Sequence, residues 1–177
     1  KLGSSGADIT GINMSYDGLT FYSNPKSKFS ANNIQYGGAG VNKTSGDLDR
    51  YFMFTAPEAG ILKVTASNTG SSEDLSRMVY VKVGDNVQQL AGGYASTAPQ
   101  EVEFEVPAGD VYISSSGNGL RFYKVEFTYE EFDPLAGGDE KIPVEYDWNF
   151  STADWQAELG KLGSSGADIT GINMSYD

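Results

Sequence analysis

Strict alternation of apolar and charged residues constrains this chain more than any other feature. In PQEVEFEV, residues 99–106, Val102, Phe104 and Val106 share one face and Glu101, Glu103 and Glu105 the other. A period of two sends successive side chains to opposite faces, so the segment reads as a half-buried antiparallel strand with an acidic outside. GILKVTAS, with Leu62, Val64 and Ala66 inward, and RMVYVKVGD, with Val79, Val81 and Val83 inward, follow the same rule. DVYISSS and LRFYKVEFTY continue it, with Val111, Ile113, Tyr123, Val125, Phe127 and Tyr129 as expected core residues. In DRYFMFTAP both alternating faces are apolar, which predicts a central strand at 51–54 covered on both sides. LTFYS, KFSANNIQY, NVQQLAGG and VEYDWNF add weaker strand signals.

A single helical start stands out. Ser151 precedes Asp154 by three positions, Trp155 and Leu159 follow four apart, and Gly160 stops the run, which predicts one short helix near residues 152–159. The composition agrees with short strands and tight turns: 22 Gly, 11 Tyr, 9 Phe and 20% charged residues. The expected fold is therefore all-β, a two-sheet antiparallel β-sandwich of jelly-roll-like character.

The second constraint is a recurrence. KLGSSGADITGINMSYD, residues 1–17, returns unchanged as residues 161–177, so the chain holds one period of 160 residues and an overlap of 17. Exact recurrence at a fixed period marks a tandem array. A domain of this length buries about 70% of its unfolded surface, enough for one packed core. The stretch EEFDPLAGGDEKIP, rich in Pro, Gly and acidic residues, reads as an inter-repeat linker at 130–143. On that division 1–129 is a sandwich lacking its first strand, and 144–177 is the opening strand and helix of the next repeat. Three arrangements restore the missing piece: donation of 144–177 by a neighbouring copy, a fold-back within one chain, or a continuous polypeptide of fused units. For donation the assembly interface consists of Tyr146, Trp148, Phe150, Trp155 and Leu159.

Absent residues narrow the chemistry. The chain has no His and no Cys, which removes the usual general base of hydrolases, thiolate nucleophiles and the commonest transition-metal ligands. The expectation is a protein that is not an enzyme. A formal charge of −12 is the wrong sign for nucleic acid or anionic lipid, and no apolar run approaches a membrane span. No cofactor is implied beyond a structural calcium ion, for which Asp47 and Asp49 in SGDLDR offer oxygen ligands. The glycines at 37–40 and 117–119 are turns rather than a dinucleotide fingerprint, because no long helix follows either. A glycan platform needs aromatic rings on a solvent face beside polar side chains. Tyr112 and Phe122 fall opposite the inferred core faces, Tyr94 sits in GGYAS, and Asn118 and Arg121 are their polar partners.

The run DRYFMFTAPEAGILKVTASNTG, then RMVYVKVGD, then PQEVEFEVPAGDVYISSSGNGLRFYKVEF resembles bacterial secreted β-sandwich modules found beside pectate-lyase-like enzymes and surface glycan-binding proteins. EYDWNFSTADW resembles their opening. The resemblance implies a jelly-roll-like sandwich in a secreted protein, with an accessory glycan-binding role. The recurrence shifts the expectation toward architecture: the repeating unit of an extracellular or cell-surface fibre, binding identical copies head to tail. The alternative is a carbohydrate-binding module whose partner is a polysaccharide.

Overall fold

The computed structural model describes residues 12–23, 27–41, 47–72, 74–84, 86–90, 98–133, 135 and 140–161. In chain order the elements are β1 Ile12–Tyr16, β2 Leu19–Ser23, β3 Ser27–Ser30, β4 Asn33–Tyr36, β5 Arg50–Ala56, β6 Gly60–Asn68, β7 Met78–Val83, β8 Asn86–Leu90, β9 Gln100–Val106, β10 Gly109–Ser116, β11 Leu120–Phe132, β12 Lys141–Asn149 and α1 Ala153–Lys161. They form the expected two-sheet antiparallel sandwich. One sheet runs β1-β2-β5-β10-β7-β8, the other β3-β4-β11-β6-β9 with β12 also on β11. The chain passes from sheet to sheet at nearly every step from β5 to β11, so neighbouring strands within a sheet are distant in sequence.

The core lies between the two sheets. Leu62, Val64 and Ala66 face Phe52, Phe54, Val79, Val81, Val111 and Ile113, all buried, as the alternation requires. Val102 is only partly buried at the margin of this cluster. β5 departs from expectation. Phe52 and Phe54 are buried, but Tyr51 and Met53 on its other face are only half-buried, so the strand is covered fully on one side alone.

β11 holds a second departure. Phe122 pairs with Ala66 and Lys124 with Thr65, so Tyr123 is an extra residue against β6. A bulge of one residue reverses which parity faces inward. Before it Leu120 and Phe122 are buried, and after it Val125, Phe127 and Tyr129 are, while Tyr123 is half-buried and bonds Ser67 through its hydroxyl.

Both ends of the expected linker at 130–143 are strand: residues 130–132 belong to β11 and 141–143 to β12. β11 runs on to Phe132, which pairs with Lys141 at the start of β12, and Asp133 N–H donates to the Glu140 carbonyl at 2.9 Å. β12 thus returns to the sheet it has just left, so the described sandwich is not short of this strand. α1 follows and lies over the end of the core, with Trp155 and Leu159 buried. Its cap is Thr152 rather than Ser151: the Thr152 hydroxyl accepts from Trp155 N–H at 3.4 Å, and Ser151 turns back to Asn149 Oδ1.

Candidate functional site

On the outer face of the first sheet three tyrosines form a row. Leu19, Phe21 and Ser23 of β2 point inward, which leaves Thr20 and Tyr22 outward. The same alternation puts Tyr51, Met53 and Thr55 outward on β5, and Tyr112 outward on β10 between buried Val111 and Ile113. Tyr22 and Tyr51 are direct partners across the β2–β5 ladder. Their ring centroids are 5.0 Å apart at 23° to one another, and Tyr51 meets Tyr112 edge-on at 5.3 Å and 74°. Burial raises the Tyr51 pKa, and the neighbouring Tyr112 and Tyr22 raise it further, so the centre of the row stays uncharged.

Polar groups border the rings. Asn13 is the partner of Tyr22 on β1, and Lys82 is the partner of Tyr112 on β7. The Ser15 and Thr20 hydroxyls bond each other at 2.7 Å, and Thr55 Oγ1 donates to Asp110 Oδ1 at 2.7 Å. Beside them a hollow of about 290 Å³ is lined in part by Ser15, Asp17, Thr20, Met53 and Thr55. Aromatic faces next to hydroxyl, amide and carboxylate groups suit a ligand with apolar ring faces and polar edges.

The residues expected to form a platform are only partly brought together. Tyr112 belongs to the row. Phe122 is wholly buried, its ring 4.8 Å from Tyr36 and 5.3 Å from Phe52, because the bulge turns it inward. Arg121 lies in the opposite sheet, donating to the Asn68 and Thr69 carbonyls at 2.8 and 3.2 Å. Asn118 Oδ1 accepts from Gly119 N–H at 2.9 Å within its own turn. Tyr94 lies outside the described residues. Sequence reasoning passed over Tyr22 and Tyr51, although the alternation in LTFYS and the doubly apolar β5 carried the signal.

The expected assembly residues are mostly spent within the chain. Trp148, Phe150, Trp155 and Leu159 are buried in its own sandwich, with Phe150 stacked on Phe52 at 5.1 Å and Trp155 edge-on to Tyr16 at 5.0 Å. They are core residues because β12 pairs with β11 of the same chain. Tyr146 remains 36% exposed. Asp47 and Asp49 flank Leu48, which bridges to Val41, and no third carboxylate joins them among the described residues. Among the described residues the carboxylates that do converge are Glu126, Glu145 and Asp147, on β11 and β12. Lys124 already occupies that cluster, 2.7 Å from Glu126 and 3.2 Å from Asp147. Burial works against its charge, and these two carboxylates more than offset it, so its pKa is raised.

No family model matches the sequence, and no curated protein matches it either.

Proposed function

We propose that the chain is an extracellular carbohydrate-binding module that holds its ligand on the outer face of the β1-β2-β5-β10-β7-β8 sheet. The observation that carries the reading is the row Tyr22, Tyr51 and Tyr112, part-open on a sheet face and bordered by polar side chains. Sugar rings present C–H faces that stack on aromatic rings and hydroxyls that take up the flanking donors and acceptors. The module binds rather than turns over its ligand.

Calorimetric titration of the chain against pectic and other plant or microbial polysaccharides tests the reading. Tyr22→Ala and Tyr112→Ala each weaken binding about tenfold, the loss of roughly 1.4 kcal/mol of stacking, while the unfolding midpoint stays close to that of the parent. Binding that survives both substitutions, or no binding to any glycan, overturns it.

A second reading rests on the recurrence of residues 1–17 as 161–177. In it the chain is one period of an extracellular fibre or stalk made of fused or interlocking copies, and the tyrosine face is shown at regular intervals. Multiple sites on one array raise avidity without any new contact. Electron microscopy tests it: filaments with a regular axial repeat support it, and discrete particles oppose it.

A further inference from the structure

Strand β12 leaves one edge of the second sheet open. Among the described residues it pairs with β11 alone, and the register of that ladder fixes which of its main-chain groups are already used. Asp133 N–H donates to the Glu140 carbonyl at 2.9 Å and Phe150 N–H to the Tyr123 carbonyl at 3.1 Å, which marks hydrogen-bonded pairs at both ends of the ladder. Bonded and non-bonded pairs alternate between antiparallel strands. Ile142, Val144, Tyr146 and Trp148 therefore bond β11, whereas Lys141, Pro143, Glu145 and Asp147 turn their main-chain groups to the open edge. Apolar side chains beside that edge are uncovered as well: Ile142 is 40% exposed, Tyr146 36%, and Val144 is only partly buried.

We propose that this edge pairs with the same edge of a second copy of the chain, antiparallel about a two-fold axis at Val144. Such a contact is isologous and closes at two copies. The sequence of β12 selects the centre. About Val144, Lys141 stands opposite Asp147 and exchanges both main-chain bonds with it, and Glu145 N–H donates to the Pro143 carbonyl. The one donor absent from the ladder is the N–H that proline lacks. On one face of the joined sheet Lys141 meets Asp147, opposite in charge, at each end. On the other face Ile142 meets Tyr146 and Val144 meets Val144.

Other centres are worse. Opposite charges and apolar pairs across a ladder stabilise it, and like charges destabilise it. A centre at Glu145 sets that carboxylate against its own counterpart, and a centre at Tyr146 sets Glu145 against Asp147. A centre at Pro143 leaves both central bonds without a donor. The charges that favour Val144 are also within reach: Lys141 lies 3.8 Å from Glu130 and Asp147 3.2 Å from Lys124, yet their side chains remain 46% and 47% exposed.

Sedimentation and oxidative cross-linking of the chain read the pairing. The parent is expected to pass from one copy to two as concentration rises. Lys141→Glu alone and Asp147→Lys alone each set like charges opposite one another at both ends of the ladder and weaken association about tenfold. An equimolar mixture of the two variants restores it, because every such pair is then of opposite charge. The chain has no Cys, so a single introduced thiol reports its own neighbour. Facing residues in a non-bonded pair have Cα atoms about 4.5 Å apart, within disulfide range, so Val144→Cys is expected to oxidise to a covalent dimer and Tyr146→Cys is not. A single copy at all concentrations, no rescue on mixing, or a Val144→Cys variant that does not cross-link overturns the proposal.

Discussion

The indole N–H of Trp148 donates to the main-chain carbonyl of Asp17 at 2.6 Å, joining residues 131 positions apart. Asp17 and Gly18 have φ of 51° and 76°, the two positive values that a tight hairpin turn of the primed type requires. β12 is thereby joined to the turn that follows β1, so this indole links a strand of one sheet to a turn of the other.

Trp148→Ala removes both the ring and this hydrogen bond. The side chain is 1% exposed and packs on Phe54 at 5.0 Å. Denaturant unfolding is expected to show a loss of about 3–5 kcal/mol. The loss is the same at all protein concentrations, since the ring is buried within its own chain.

Tyr36→Phe is expected to leave stability unchanged or raise it by roughly 1–2 kcal/mol. The Tyr36 hydroxyl is buried without a hydrogen-bond partner among the described residues, and burial pushes its pKa well above the ordinary value. Phe keeps the ring contacts with Phe21, Phe52 and Phe122 and removes the unsatisfied polar atom. Thermal and denaturant midpoints check this.

Asp74 gives the loop before β7 an acid limit. Hydrogen bonds from the Ser76 hydroxyl, Arg77 Nε and the Ser76 N–H hold its pKa at about 2, below the ordinary 3.8. A depressed carboxylate pKa contributes fully above the unfolded value and is lost as pH falls through the folded one. The loop is therefore expected to loosen as pH falls from about 4 to about 2. NMR titration of the Asp74 carboxyl locates the midpoint, and Asp74→Asn speeds amide exchange at Arg77 above that window and removes the pH dependence within it.

Gly117→Ala is expected to destabilise by more than about 1–2 kcal/mol. Gly117 has φ of 80°, and a Cβ built there lies 1.8 Å from the Ser76 carbonyl oxygen. Denaturant unfolding of the single variant measures it.

Strand-level structure was legible wherever one face is apolar and the other charged, as at Glu101, Glu103 and Glu105 against Phe104 and Val106. Such a pattern has one way to bury its apolar side. Phe122 was misplaced because a bulge is a choice made by two paired strands, and alternation within one strand cannot show it. β12 was misassigned for a related reason. The Pro, Gly and acidic residues of 130–143 suit a hairpin head as well as a linker, and only pairing with β11 distinguishes them. The tyrosine row was half legible: each ring's outward face follows from its own strand, whereas the order β2-β5-β10 that sets the rings side by side comes from long-range pairing.

The acidic face of β9 limits where the fold can grow. Lys63 lies 3.5 Å from Glu101 and 3.8 Å from Glu103, and Glu105 extends the line along the last strand of its sheet. A like strand from another molecule brings the same carboxylates up against these, and mutual repulsion at neutral pH turns it away. The molecule carries its own guard against open-ended aggregation along that margin.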